Sequence, residues 1–316
     1  MRRRTFLRTT GTVLAAAGLN SCRRETPSQP VLRVMSWSDY FDPATVAAFE
    51  KEQSCRVEFA VFASNEELLA RLTAGEEADL LVPTTYMRLL LQEEGRLAPL
   101  EAGSGAPCSA PYLRGVSGLA WTDERDTPCS WSWITNTPAG RLTLLDDVRE
   151  TLGAALKFLG YSANSPHEAQ IREAVAVIQD WKQRISAFES EYYKLGLVAG
   201  EYDLVHGYSG DVLQAAHRNP QIRFDIPMEG ALISTDELCI DSRSRLKELA
   251  AAFIRRQTSP EALAAHARHT CCQPAAIDPT SWTGVDADAI ARSEEIAPLG
   301  DAADLWHTAW REIRRD

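Results

Sequence analysis

The sequence predicts an α/β fold built from two sheet-and-helix units, and three observations predict it. From Leu32 to Tyr86 strand and helix patterns alternate as β-α-β-α-β, which calls for a mainly parallel sheet with right-handed crossovers. A second alternating run begins at Leu142 and continues to Ile226. The 316 residues are enough for two ordinary α/β domains with cores of their own.

Each element has a local reason. Leu32-Arg33-Val34-Met35-Ser36 alternates apolar and polar residues, as a strand does. Asp42-Pro43 opens a helix with an N-cap and a proline at the first helical position, and that helix runs to about Lys51. Arg56 to Val61 is the second strand. Ser64-Asn65-Glu66-Glu67 reads as a capping box for a helix through Leu68, Leu69 and Leu72 that closes near Gly75. Asp79 to Val82 is a short buried strand, and Thr84-Thr85-Tyr86 stands at the mouth of the next helix. The stretch 100–140 has no clear periodicity and reads as loops and a crossing between units. Leu142 to Leu145 is a strand that turns at Asp146-Asp147 into a helix from Val148 to about Leu159. His167 to Arg184 is an amphipathic helix with Ile171, Val175, Ile178 and Trp181 on one face. Strands over 186–190, 202–208 and 222–226 enclose helices over 192–198 and 211–216. Leu232 to Ile240 is extended, and helices follow over 246–256, 260–269 and 301–314.

The first residues read as an address rather than as part of the fold. Arg2-Arg3-Arg4-Thr5-Phe6-Leu7-Arg8 is a basic region, and the apolar run from Thr9 to Leu19 follows it. That run reaches only ~17 Å as a helix, short of a hydrocarbon core of ~30 Å, so an export signal over 1–21 is the better reading. Arg3-Arg4-Thr5-Phe6-Leu7-Arg8 looks like a twin-arginine signal, and Leu19-Asn20-Ser21-Cys22 resembles a lipobox whose Cys22 carries lipid. Residues 22–30 then form a tether. Six cysteines remain in a compartment that permits disulfides, and Cys108 with Cys129 is the first candidate pair.

The net charge of −11 argues against nucleic acid, whose phosphates it would repel, and is compatible with a cationic ligand. Open α/β sheets bind ligands beyond the carboxyl ends of their strands. That rule selects Trp37, Ser38, Asp39, Tyr40, Thr84, Thr85, Tyr86, Asp147, Glu150, Tyr208, Ser209, Gly210, Asp211 and Asp236. Five carboxylates beside several aromatic rings suit an alkylammonium, through charge-assisted hydrogen bonds and cation–π contacts. The competing reading of any single one of these acids is a helix N-cap.

Ser36-Trp37-Ser38-Asp39-Tyr40-Phe41-Asp42-Pro43, with Phe49-Glu50-Lys51-Glu52 after it, resembles the opening of bacterial spermidine/putrescine-binding proteins. These are the substrate-binding subunits of polyamine ABC importers. The resemblance continues in Ser64 to Leu69, Val82-Pro83-Thr84-Thr85-Tyr86-Met87, Pro111 to Gly115 and Leu145-Asp146-Asp147-Val148-Arg149-Glu150. It extends through Leu159 to Ser162, Gly200-Glu201, Ser209-Gly210-Asp211 and Ile226 to Gly230, covering about residues 31–275. It implies a type 2 periplasmic-binding fold, in which 31–118 with 236–278 forms one domain and 119–235 with 279–316 the other. A linear polyamine would lie between them, walled by Trp37, Tyr40 and Tyr86 and lined by Ser38, Asp39, Thr84 and Thr85. Asp147, Glu150, Asp211 and Asp236 would hold its ammonium groups. The resemblance also implies a monomer in the periplasm or at the cell surface, without cofactor or metal, that delivers its ligand to an ABC permease.

Three departures accompany this. Tyr208 stands where the family often has Trp, Ser234 stands near a usual aromatic, and a late Tyr is replaced near Cys271. The chain is also shorter than the family around 103–110 and between Trp121 and Gly140. Other readings stay open at this point: a ligand-sensing protein for a membrane receptor, a binder of another cation, or an enzyme. For the last, His266, His269, Cys271 and Cys272 cluster, but at no standard zinc spacing. Trp131, Trp133, Trp282, Trp306 and Trp310 read as packing residues rather than ligand contacts.

Overall fold

The computed structural model describes residues 29–100, 108–124, 129–278 and 286–315. The expected export signal, Cys22, most of the tether and Trp282 lie outside them. The first part of the chain gives β1 (Val31–Ser36), α1 (Pro43–Gln53), β2 (Arg56–Val61), α2 (Asn65–Thr73), β3 (Leu80–Leu81), α3 (Thr85–Glu93) and β4 (Leu97–Ala98). Then come β5 (Ser109–Trp121), α4 (Trp133–Asn136), β6 (Leu142–Leu144), α5 (Val148–Phe158), α6 (Glu168–Lys182), β7 (Ala187–Phe188) and α7 (Tyr193–Ala199). The rest comprises β8 (Leu204–Tyr208), α8 (Ser209–Arg218), β9 (Arg223–Asp225), β10 (Leu232–Asp241), α9 (Lys247–Gln257) and α10 (Pro260–Thr270). β11 (Gln273–Pro274), α11 (Ala287–Arg292), β12 (Glu294–Glu295) and α12 (Ala303–Arg314) complete the described chain.

The local signals act as read. Asp42 Oδ1 accepts from Thr45 N–H at 2.9 Å, so the first helix is capped from its own sequence. Ser64 Oγ accepts from Glu67 N–H at 3.1 Å, while the Glu67 carboxylate reaches one residue further back, to Ala63 N–H at 2.9 Å. Ile171, Val175, Ile178 and Trp181 of α6 are all buried, as their spacing predicts.

The β-α-β-α-β segment forms the parallel array expected of it, and antiparallel strands join it to the rest of the sheet. One hydrogen-bonded path runs β2-β1-β3-β10-β5-β8-β6-β7. Its two flanks, β2-β1-β3 and β8-β6-β7, are internally parallel. Between them β10 runs antiparallel to β3 and to β5, and β5 antiparallel to β8. The segment read as loops therefore contains the long strand β5, which pairs with β10 at its start and with β8 from Ser117 onward. Its Pro111, Gly115 and Gly118 hide the strand pattern, and its second half is buried on both faces, which erases the alternation. Gly118 is there for space: a Cβ would lie 2.6 Å from the Asp225 carbonyl oxygen and 2.8 Å from the Phe224 ring.

β5 also separates Cys108 from Cys129. The strand between them carries the chain tens of ångströms from one flank of the sheet to the other, whereas disulfide-bonded Cα atoms sit within ~7 Å. Cys108 Sγ lies 3.3 Å from Gln92 Oε1, and Cys129 Sγ lies 3.7 Å from the Asp225 carbonyl oxygen.

Each flank has its own apolar core. Leu32, Phe41, Phe49, Tyr112, Leu238 and Phe253 pack under the first. Leu119, Trp131, Leu152, Ile178, Leu204 and Trp306 pack under the second. Trp131, Trp133 and Trp306 are buried there as packing residues, and the partly buried Trp310 packs against the same cluster. No described helix is long and apolar enough to cross a membrane.

Candidate functional site

Because the two parallel flanks face each other across β5 and β10, the carboxyl ends of β1, β3, β6 and β8 open onto one cleft. The cleft together with the open solvent at its mouth makes up about 910 Å³ of space outside the protein atoms. Trp37, Ser38, Asp39, Tyr40, Thr84, Tyr86, Asp147, Glu150, Tyr208, Ser209, Gly210, Asp211 and Asp236 all line it. Thr85 does not. As the first residue of α3, it donates from Oγ1 to the Thr235 carbonyl at 3.1 Å, which turns it away from the cavity.

Asp236 is the best-defined acid. The β10–β5 ladder slips between Thr235 and Glu237, and Asp236 sits at that irregularity. Its carboxylate accepts from Tyr40 Oη at 2.5 Å and from Thr84 Oγ1 at 2.7 Å. Asn65 fixes Thr84 in turn, with Nδ2 3.0 Å from Oγ1 and Oδ1 3.1 Å from the Thr84 backbone nitrogen. Burial pushes the Asp236 pKa up to about 6, and the two hydroxyl donors offset only part of that.

Asp147 and Glu150 open α5 on the other flank. Asp147 is its N-cap: Oδ1 accepts from the Arg149 and Glu150 backbone N–H groups at 2.8 and 3.0 Å. The cap reading is thus correct for Asp147, and the residue lines the cleft as well. Glu150 is buried, and among the described residues no close hydrogen bond reaches its Oε2, although the Ser117 hydroxyl is near enough to offset part of the burial effect. Both acids are raised well above the ordinary carboxylate range. Burial is the main cause for each, followed by the Glu66 charge for Asp147 and the Asp147 charge for Glu150.

The aromatic walls are held from behind. Trp37 packs edge-on against Phe62 with centroids 4.5 Å apart, and Tyr40 packs edge-on against Tyr112 at 5.6 Å. Tyr86 donates to Glu66 Oε1 at 3.1 Å. Where the resemblance implies further aromatics, the cleft has small groups: Ser234 beside Gly115, and the thiol of Cys272 beside Gly210.

Sequence reasoning missed two cations. Arg149, between the two α5 acids, is buried with its guanidinium 5.0 Å from the ring centroids of both Tyr86 and Trp306. It donates to the Ala297 carbonyl and to Asn164 Oδ1 at 2.9 and 2.7 Å. Lys194, on α7, places Nζ 3.2 Å from Asp211 Oδ1 and 3.7 Å from Asp39 Oδ2. Asp211 therefore holds the protein's own ammonium, whereas Asp147, Glu150 and Asp236 make no ion pair within 4 Å among the described residues. Nothing in the periodicity of Tyr192 to Val198 marks Lys194 as a cleft residue.

Among the described residues no group of His, Cys, Asp and Glu side chains is placed to hold a metal ion. His266 is buried, with Nδ1 accepting from Asp42 N–H at 2.9 Å and Nε2 2.9 Å from Gln257 Oε1. One ring nitrogen ties α10 to the start of α1 and the other ties it to the end of α9, and burial lowers the histidine pKa to about 4.

The profile of bacterial extracellular solute-binding proteins matches residues 44–276 of the chain. The chain belongs to this family. The putrescine/cadaverine-binding protein of Pseudomonas aeruginosa PAO1 is 31% identical over 77% of this chain and 78% of its own length. The putrescine-binding periplasmic protein SpuD of P. aeruginosa UCBPP-PA14 is 26% identical over 79% and 80%. Among solved structures, the TpPotD lipoprotein of Treponema pallidum superposes with a TM-score of 0.78 at 23% identity, over 90% of this chain and 99% of that one. That superposition establishes the type 2 solute-binding fold.

Proposed function

We propose that this solute-binding protein captures a linear amine with at least two ammonium groups and hands it to an ABC permease. The observation that carries the reading is one arrangement. Buried carboxylates from both flanks, Asp236 on one side and Asp147 with Glu150 on the other, face a cleft walled by Trp37, Tyr40, Tyr86 and Tyr208. A dication leaving water loses several kcal/mol of hydration per charge, which only close anions can offset. The rings would add ~0.5–2 kcal/mol for each cation–π contact. The names of the P. aeruginosa relatives support the same ligand class.

Empty, the opposed acids repel one another and retain protons. An amine replaces those protons and bridges the flanks, so the closed form is favoured when ligand is present. A permease would distinguish that closed form. The protein would act as a binder without turnover, as a monomer, exported through its twin-arginine-like leader and anchored by lipid on Cys22.

Calorimetric titration with putrescine, cadaverine, spermidine and spermine tests the ligand. Saturable binding is expected, together with thermal stabilisation of about 2.7 kcal/mol at a hundredfold excess over Kd. Absence of binding by all four amines would refute the reading. Mass spectrometry of membrane-extracted protein tests the anchor, since Cys22→Ala should abolish the lipid adduct.

A further inference from the structure

The acids of the cleft fall into two sets according to what they already hold. Asp236 accepts from two hydroxyls, Asp147 from two backbone N–H groups, and Glu150 Oε2 has no close hydrogen bond among the described residues. Asp211 and Asp39, by contrast, share the ammonium of Lys194. The Lys194 side chain is only 18% exposed and lines the cleft. Tyr193 Oη fixes the other oxygen of Asp211 at 2.9 Å, so the pair is braced from behind. The bridge also crosses the cleft, because Asp39 follows β1 on one flank and Lys194 belongs to the other.

A lysine side chain is chemically one end of a linear amine: a primary ammonium on a four-carbon stem. We propose that Lys194 permanently occupies one ammonium subsite, so that the remaining cleft takes a diamine and discriminates against triamines and tetramines. This rests on the amine-binding reading above. Asp147 caps α5, Glu150 lies in its first turn, and both line the cleft at the same helix start, so together they serve a single ammonium. Asp236, on the opposite flank, serves a second. A third ammonium extending toward Asp211 and Asp39 would meet the like charge of Lys194. Seating it there would require breaking a braced ion pair.

Titration of the purified protein with 1,4-diaminobutane, 1,5-diaminopentane and spermidine decides the matter, on wild type, Lys194→Met and Lys194→Arg. Wild type should bind a diamine at least roughly tenfold more tightly than spermidine. Lys194→Met should shift the spermidine-to-diamine affinity ratio toward spermidine by at least roughly tenfold, whereas Lys194→Arg, which keeps the charge, should retain the wild-type ratio. An unchanged ratio in a Lys194→Met protein that still binds diamines overturns the inference and leaves the amine reading standing. Wild type that prefers spermidine overturns it as well. No amine binding by wild type overturns the underlying reading, and this inference with it. If Lys194→Met fails to fold, Lys194→Gln carries the same comparison.

Discussion

The two ends of the cleft use the same residue type for different purposes. At the Asp147–Glu150–Asp236 end the carboxylates are buried, raised in pKa and, among the described residues, without a cation within 4 Å. At the Asp211–Asp39 end, Lys194 already supplies the positive charge. An acid at the carboxyl end of a strand is therefore a ligand site only where the surrounding fold leaves its charge unanswered. The neighbour across the cleft decides this, and that neighbour is remote in sequence: Lys194 and Asp39 are 155 residues apart by number.

The largest test of this contrast is charge removal at the open end. Asp236→Asn and Glu150→Gln should each weaken diamine binding on the order of 100-fold by titration, because each deletes one partner of a buried ammonium–carboxylate contact. Circular dichroism should show both variants folded. Losses under ~threefold in both would erase the distinction between the two ends.

The next test is pH. The folded pKa of Asp236 is about 6, and those of Asp147 and Glu150 are raised in the same direction, against ~4 in the unfolded chain. Between these values the empty native protein holds more protons than the unfolded chain. Its stability is therefore fully present below pH ~4 and is lost as pH rises through the folded pKa values. The melting temperature of empty protein should accordingly fall between about pH 5 and pH 7.5 as far as these groups contribute. Amine affinity should move the opposite way, rising roughly tenfold or more over that range as the acids ionise, with proton release visible as a buffer-dependent heat. A flat affinity profile would mean that the acids are already ionised when empty.

A smaller effect separates the two roles of Asp147. Asp147→Asn keeps an N-cap oxygen while removing the charge, so it should weaken amine binding with little loss of stability. Asp147→Ala should cost about 1 kcal/mol of unfolding free energy in addition, read by denaturant titration. The smallest effect belongs to Thr85, which the fold directs at the Thr235 carbonyl. Thr85→Val should leave amine affinity unchanged, and a loss would return Thr85 to the cleft.

Much of the fold was legible because its signals are local. The Asp42 and Ser64 caps, the α6 stripe and the β-α-β-α-β order each depend on residues within a few positions of one another. β5 was not legible, because a strand buried on both faces and interrupted by proline and glycine loses its alternation. The Cys108–Cys129 pairing failed for the same reason, since the distance between those residues is set by the strand that was missed.

By itself, the sequence determined which residues follow the carboxyl ends of β1, β3, β6 and β8, because each such position follows from a strand and the turn after it, whereas Asp236 stands at a slip inside β10. It determined the excess of acids there, and with it the sign of the ligand charge. Only the tertiary structure decided which of those acids remain available. Arg149 and Lys194 enter the cleft from helices of the second flank, and electrostatic pairing depends on distance in space rather than along the chain.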